Sequence, residues 1–399
     1  MNYISDFLKT AGISFVVLMY ALYVVLVSPG VYELTFLFTL IPLTVNVKRY
    51  WDSTALLLLL FSLTYAIIKF AYGELQSVFG AFTVMVGPSI LYIYGKYISE
   101  NFKKESFTPV FWLFVSVAVA TLLYKEVIID IINNGFIKPM RILPISTNSG
   151  EEFEMAATLY GVNVSLGFAG LTFLLVRNKS LNIIILSSFL VLSILSLLTV
   201  AHLVTRTGMV LAAVVLAITS VYQSKNKIFR FLAIIIVLIG FFFLLIEFNV
   251  IGDDLIQAYS NRQSGSFDSD IGGDRLWRWL ESIPRLFIYP LGWDNLHITK
   301  YLYVHNLWLD IAMDVGVVPF VLLLIVTIRT IKESMGLFKI KNDPNIALLI
   351  SLALVFFLTC MVEPIMNGAR YYFYLYCLFM GYQKGYLYKV CYFKNFARI

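Results

Sequence analysis

Runs of about twenty apolar residues recur along the whole chain, leaving almost nothing from which to build a water-soluble core. A helix needs roughly 20 such residues to cross a bilayer. Here the runs fall at 11–27, 31–47, 53–73, 76–95, 107–124, 155–176, 181–203, 207–222, 228–247, 313–331, 344–363 and 368–388. With 60% of its 399 residues hydrophobic and 14% charged, the chain carries more apolar surface than a soluble fold can hide. The expectation is an all-α polytopic membrane protein with about 12 transmembrane helices, forming a single integral membrane domain over 1–399. The first run, from Ala11 to Val27, lacks a small-residue cleavage site followed by a soluble domain, so it reads as a retained span.

The charges orient these spans. With the N-terminus in the cytoplasm, nineteen of the 30 Lys and Arg residues fall on inner segments, together with six of the 24 acids. The inside is then +13 and the outside −7, in keeping with the positive-inside rule. An even number of spans puts both termini in the cytoplasm. The net charge of +6 is therefore membrane-orienting, and no base-stacking surface is interleaved with it, so nucleic acid is not an expected partner. Cys360, Cys377 and Cys391 have spacings that fit neither a metal site nor a disulfide framework, and read as small apolar fillers. No metal and no cofactor is expected.

Two outer loops are long: 125–154, acidic at its end, and 248–303. In the second, Arg262, Arg275, Arg278 and Arg285 gather on the outer side, against the usual charge bias. Arginines and a histidine on that face point to an anion handled there. Asp274 to Phe287 looks helical, with Leu276, Trp279, Leu280, Ile283 and Phe287 recurring every three or four residues, as on a helix lying at the membrane surface. Gly272-Gly273-Asp274 would start it and Pro290-Leu291-Gly292 would end it.

Several residues could carry chemistry. Arg206, in a polar knot between two apolar spans, sits at the outer rim of the lipid core. It either snorkels to lipid phosphate or clamps a substrate phosphate or pyrophosphate in the bidentate manner of a guanidinium. Arg275 and Arg278, three apart on a helix face, could bridge two phosphoryl groups or anchor the helix to anionic headgroups. His305 is the sharpest candidate, because imidazole takes a proton near neutral pH. Asn306 and Asp310 follow it and share a helix face, and an amide or carboxylate there would fix its tautomer. His202 lies inside the end of a span and His297 in plain loop, so both rank lower. Glu363 and Arg370 flank the last outer turn, where they bind sugar hydroxyls or pair with each other. Cations and one general base on the outer face fit chemistry on a lipid-linked pyrophosphate: the cations stabilise the departing group and the histidine deprotonates an incoming hydroxyl.

The segments "TRTG", "GGDRLWRWLESIPRLFIYPLGW" and "YVHNLWLDIAMDVGVVPF", in that order, resemble the O-antigen ligase and polymerase superfamily of bacterial envelope glycosyltransferases. The resemblance covers about Leu181 to Gly381; the N-terminal half is similar only in hydropathy. It implies a metal-independent, inverting glycosyltransferase of the GT-C type in the bacterial inner membrane, with a periplasmic active site. Its donor and acceptor would be oligosaccharides on undecaprenyl pyrophosphate. Partners would be membrane lipids, a chain-length regulator and a flippase. By the same resemblance Arg206 and Arg275 fall to the pyrophosphate and His305 to activation of the acceptor hydroxyl; Arg278, Asn306, Asp310, Glu363 and Arg370 are read from their own positions as substrate-binding candidates.

Within the superfamily, "HNLWLDIAMDVGVVPF" and "EPIMNGARYYFYLYCLFMGY" look more like the Wzy-type polymerases, which extend a lipid-linked repeat, than like the ligases, which transfer the glycan to lipid A core. The arginine and histidine framework is common to both. A transporter of lipid-linked units is the alternative from another class. Transporters keep charges near the bilayer midplane and often show internal repeats, whereas here the midplane is nearly uncharged and no repeat appears.

Overall fold

A computed structural model describes residues 50–75, 78–101, 107–136, 142–146, 152–175, 183–203, 205–222, 273–296, 298, 303–340 and 343–396. The expected spans 11–27, 31–47 and 228–247 lie outside them, as do Arg262 and His297. The described chain is overwhelmingly helical. Its helices are α1 (Ser53–Ala71), α2 (Val78–Asn101), α3 (Phe107–Asn134), α4 (Ala157–Leu175), α5 (Ile183–His202), α6 (Arg206–Tyr222), α7 (Gly273–Ile288), α8 (Leu307–Val315), α9 (Val317–Phe338), α10 (Pro344–Val362), the single turn α11 (Ile365–Gly368) and α12 (Arg370–Phe396). Three of these, α1, α5 and α10, are long and apolar enough to cross a membrane. A fourth joins them if α3, bent by 53° after Ala120, is counted as one span.

Two expectations needed correction. The span placed at 107–124 continues as helix to Asn134, so the first ten residues of the expected loop 125–154 are helical. The rest of that loop holds a hairpin, β1 (Ile142–Ser146) antiparallel to β2 (Glu152–Ala156), with Ile142 opposite Ala156 and Ser146 opposite Glu152. The span placed at 313–331 is two helices. Gly316, at φ +87°, ends α8 and starts α9, and only a residue without a Cβ adopts that conformation at little cost.

The chain forms two compact units. One comprises Met1–Thr108, Arg278–Lys339 and Cys360–Ile399, and the other Pro109–Trp277 and Ile340–Thr359. In the first, α12 packs along α2 at near-backbone distance. A Cβ on Gly381 would strike the carbonyl of Tyr92, and one on Gly95 that of Leu378. Small residues permit this approach in membrane bundles, where dispersion between closely spaced backbones replaces the hydrophobic effect. Pairings fix the helix directions: Ser89 bonds Ala55, Tyr92 and Lys96 bond Asp52, and Ser334 bonds Gln383 while Gly336 lies beside Leu387. Helix α1 therefore runs against α2, while α9 and α12 run parallel to each other.

One end of this unit gathers Asp52, Lys96, Lys384 and Glu333, with Lys96 Nζ 2.7 Å and Lys384 Nζ 3.3 Å from Asp52 Oδ2 and Lys384 Nζ 3.1 Å from Glu333 Oε1. These groups come from three helices and the cap of a fourth. The opposite end carries α7 and α8. In the second unit, α3 and α5 run parallel, bonded at Tyr124–Ser196 and Asp130–His202. Helix α4 runs antiparallel to α5, with Gly167 beside Ser196 and Gly170 beside Ser193.

Candidate functional site: a clamped histidine turn

Helix α7 forms where its period predicts. Leu276, Leu280, Ile283 and Phe287 lie along one exposed apolar face, while Ser282 and Leu286 are buried beneath it. Trp279, expected on the apolar face, turns inward instead and joins a core with Leu286, Trp293, Val304, Leu309 and Met313. The far end of α7 is tied to the starts or ends of two long helices. Val317 N, the first residue of α9, donates to Pro290 O at 3.0 Å, and Tyr72 Oη, just past α1, donates to Leu291 O at 3.0 Å. Arg285 pairs with Glu281 one turn back, so its charge is compensated locally. Arg275 lies half-buried one turn before Arg278.

Helix α7 then holds the chain that precedes α8. Arg278 Nη1 donates to Tyr303 O at 3.0 Å, and Trp279 Nε1 to Val304 O at 3.1 Å. From the other side, the Asp310 carboxylate accepts Val304 N at 2.7 Å and Asn306 N at 3.1 Å, and the amide of His305 also bonds to it. Two carbonyls and three consecutive amides are thus fixed within four residues. Held this way, His305 has a φ of +60° and is the one non-glycine residue with positive φ among the described residues. An L-residue reaches that region at a cost of roughly 1–2 kcal/mol, and such strain persists only where neighbouring bonds over-determine it. The imidazole is half-buried, with the Tyr303 ring edge-on at 6.2 Å.

This geometry changes the part played by two of the expected residues. Asn306 and Asp310 were expected to set the imidazole tautomer, but their polar atoms go to backbone. Asn306 caps α8, with Oδ1 accepting Leu309 N at 3.2 Å, and its Nδ2 donates to Met361 O at 3.2 Å. The reason is that the amides entering α8 are buried, and a buried amide without an acceptor is costly. The nearest strong acceptor is the carboxylate one turn ahead.

Sequence reasoning missed Asp314 and Lys69. The Asp314 side chain is fully buried one turn beyond Asp310, 3.3 Å from Lys69 Nζ, which also reaches Glu74 at 2.5 Å. Asn367 Nδ2 approaches Asp314 Oδ1 at 3.4 Å. The signal was there in the i,i+4 spacing of the two aspartates, but it named no partner on α1. Burial pushes the Asp310 carboxyl up to about 8, with Asp314 adding to the rise and the backbone amides opposing it. Burial and the carboxylates of Asp314, Asp310 and Asp294 raise the Tyr303 hydroxyl. Glu363 is buried just past α10, and Arg370, half-buried, opens α12.

Arg206 is the first residue of α6, as the polar knot predicts, and belongs to the other unit; its side chain is outside the described set. His202 is fully buried in that unit, with Nε2 2.7 Å from Asp130 Oδ2. Among the described residues no group of three or more His, Cys, Asp or Glu could hold a metal ion. No family model matches the chain, and no curated protein matches it.

Proposed function

We propose that the protein is a polymerase of O-antigen or a related surface polysaccharide. It joins repeat units carried on undecaprenyl pyrophosphate by inverting, metal-independent glycosyl transfer at the periplasmic face of the bacterial inner membrane. In this reading the fold is of the GT-C type with twelve spans and both termini are cytoplasmic. His305 takes the proton of the attacking hydroxyl, while Arg206 and Arg275 stabilise the departing pyrophosphate. The observation that carries the reading is the strained, doubly clamped backbone at His305. Five backbone groups and three side chains, Arg278, Trp279 and Asp310, serve to hold one half-buried imidazole in a conformation its own chemistry disfavours. A histidine with a purely packing role gains nothing from such a conformation.

The test is extension of a purified lipid-linked repeat by the protein in nanodiscs, with His305→Ala, Arg206→Ala and Arg275→Ala alongside the wild type. Loss of extension with His305→Ala, while each variant melts near the wild type, supports the reading. Normal extension by His305→Ala overturns it. In cells, a polymerase defect leaves single repeats on the lipid A core, a ligase defect leaves bare core, and a transport defect traps repeats in the cytoplasmic leaflet.

A further inference from the structure

The second unit has its own buried histidine, which the reading above does not use. His202 Nε2 and Asp130 Oδ2 are 2.7 Å apart, joining α5 to α3 across 72 residues of sequence. Asp130 is oriented in turn by Asn134 Nδ2, 2.7 Å from its other oxygen. The Phe136 ring closes over the imidazole at 5.5 Å. A carboxylate accepts, so the shared hydrogen sits on Nε2; Nδ1 is buried without a hydrogen-bond partner. Removing such a pair from solvent costs about as much as its attraction returns, so a buried pair is weak evidence for stability and better evidence for a fixed position.

What it fixes follows from the next few residues. His202 is the last residue of α5, and α6 begins at Arg206. Between them Thr205 N donates to Val200 O at 3.0 Å, and Met209 N donates to Thr205 O at 3.2 Å. Gly208 is packed so closely that a Cβ would lie 2.8 Å from Val200 Cγ2 and 2.9 Å from Thr205 Oγ1. The start of α6 is thus bonded rigidly to the end of α5. The end of α5 is held by α3 through this pair and through Leu203, which packs with Leu123 and Val127, with the Tyr124–Ser196 bond six residues before the pair on both helices.

We propose that His202 and Asp130 are positioning residues that fix the first turn of α6, and so the backbone of Arg206, for binding the diphosphate of the lipid-linked substrate. This rests on the reading of Arg206 given above. The variants are His202→Leu, which breaks the bond; His202→Gln, whose amide nitrogen takes the place of Nε2; and Tyr124→Phe, which breaks the other α3–α5 bond.

Two readouts are made on the full-length protein in nanodiscs. The first is KM and kcat for the lipid-linked repeat. His202→Leu is expected to raise KM and lower kcat, together on the order of ten-fold in kcat/KM, His202→Gln to restore both, and Tyr124→Phe to lower the melting temperature without moving KM. The second is a spin-label distance between Ile132→Cys on α3 and Val210→Cys on α6, both exposed sites. It should be narrow in the wild type and His202→Gln and broad in His202→Leu. An unbroadened distance in His202→Leu, or a KM that follows melting temperature equally in Tyr124→Phe, overturns the proposal. If the wild type neither extends the repeat nor binds undecaprenyl pyrophosphate, the enzymatic reading fails. The α3–α6 distance then still decides whether the pair positions α6.

Discussion

The two described histidines mark opposite ways of using the same side chain. In the first unit, His305 is half-buried, sits in left-handed backbone, and is held through main-chain bonds from its turn to Arg278, Trp279 and Asp310. In the second, His202 is fully buried at the end of a regular helix, and the ring itself makes the bond, to Asp130. The first spends conformational energy to present an imidazole, and the second spends an imidazole to hold a helix. Burial and hydrogen bonding alone would rank His202 as the more impressive site. Strain and exposure favour His305, because a group that reacts with a substrate has to be reachable and its position over-determined.

The largest contrast should appear in turnover. His305→Gln is expected to lower kcat for repeat extension by about 100-fold or more, the scale of a lost general base, with melting temperature nearly unchanged. His202→Gln should leave kcat within about two-fold, since a retained donor satisfies Asp130. Equal losses in kcat would erase the distinction between the two sites.

Next in size is Asp310→Leu. It orphans three buried amides at about 1–3 kcal/mol each, so destabilisation of about 3 kcal/mol or more is expected in denaturant or thermal unfolding. If Asp310→Leu is neutral, the carboxylate does not hold the turn.

A smaller effect of opposite sign sharpens the comparison. His305→Gly relieves the positive φ and should stabilise the fold by about 0.5–1 kcal/mol, after allowing for the added freedom of the unfolded chain, while abolishing extension. His202→Gly, in a helix without strain, should only destabilise.

The smallest is a slope with pH. The Asp310 carboxyl is raised by burial from 3.8 to about 8 in the folded protein, so the folded state holds the proton more tightly than the unfolded chain. Its contribution to stability is then fully present below about pH 4 and is lost as pH rises towards about 8. Melting temperatures in detergent should fall across pH 5 to 8 more steeply for the wild type than for Asp310→Asn. Parallel slopes would mean that Asp310 does not titrate in this range.

How much was legible beforehand varied with the range of the interaction. Helix α7, its exposed apolar face and the start of α6 at Arg206 followed from periodicity and polar punctuation, which depend on neighbours three or four residues away. The hairpin Ile142–Ser146/Glu152–Ala156 went unread because five-residue strands containing Pro144 show too short an alternation to register. Trp279 was placed on the lipid-facing side because an indole looks apolar to a hydropathy pattern. Its Nε1–H, half-buried, instead found the Val304 carbonyl.

What the sequence determined by itself is that the chain is helical, with helices apolar enough to cross a membrane and polar and basic residues gathered between them. Those properties come from composition and local period, and each residue contributes to them independently of its distant neighbours. Only the tertiary structure decided that Asp310 serves the backbone and not the imidazole. It also decided that His305 is strained, that Lys69 meets Asp314, and that His202 finds Asp130 72 residues away. Each of these depends on which buried donor lies nearest which acceptor once the helices are packed, and a one-dimensional pattern does not carry that information.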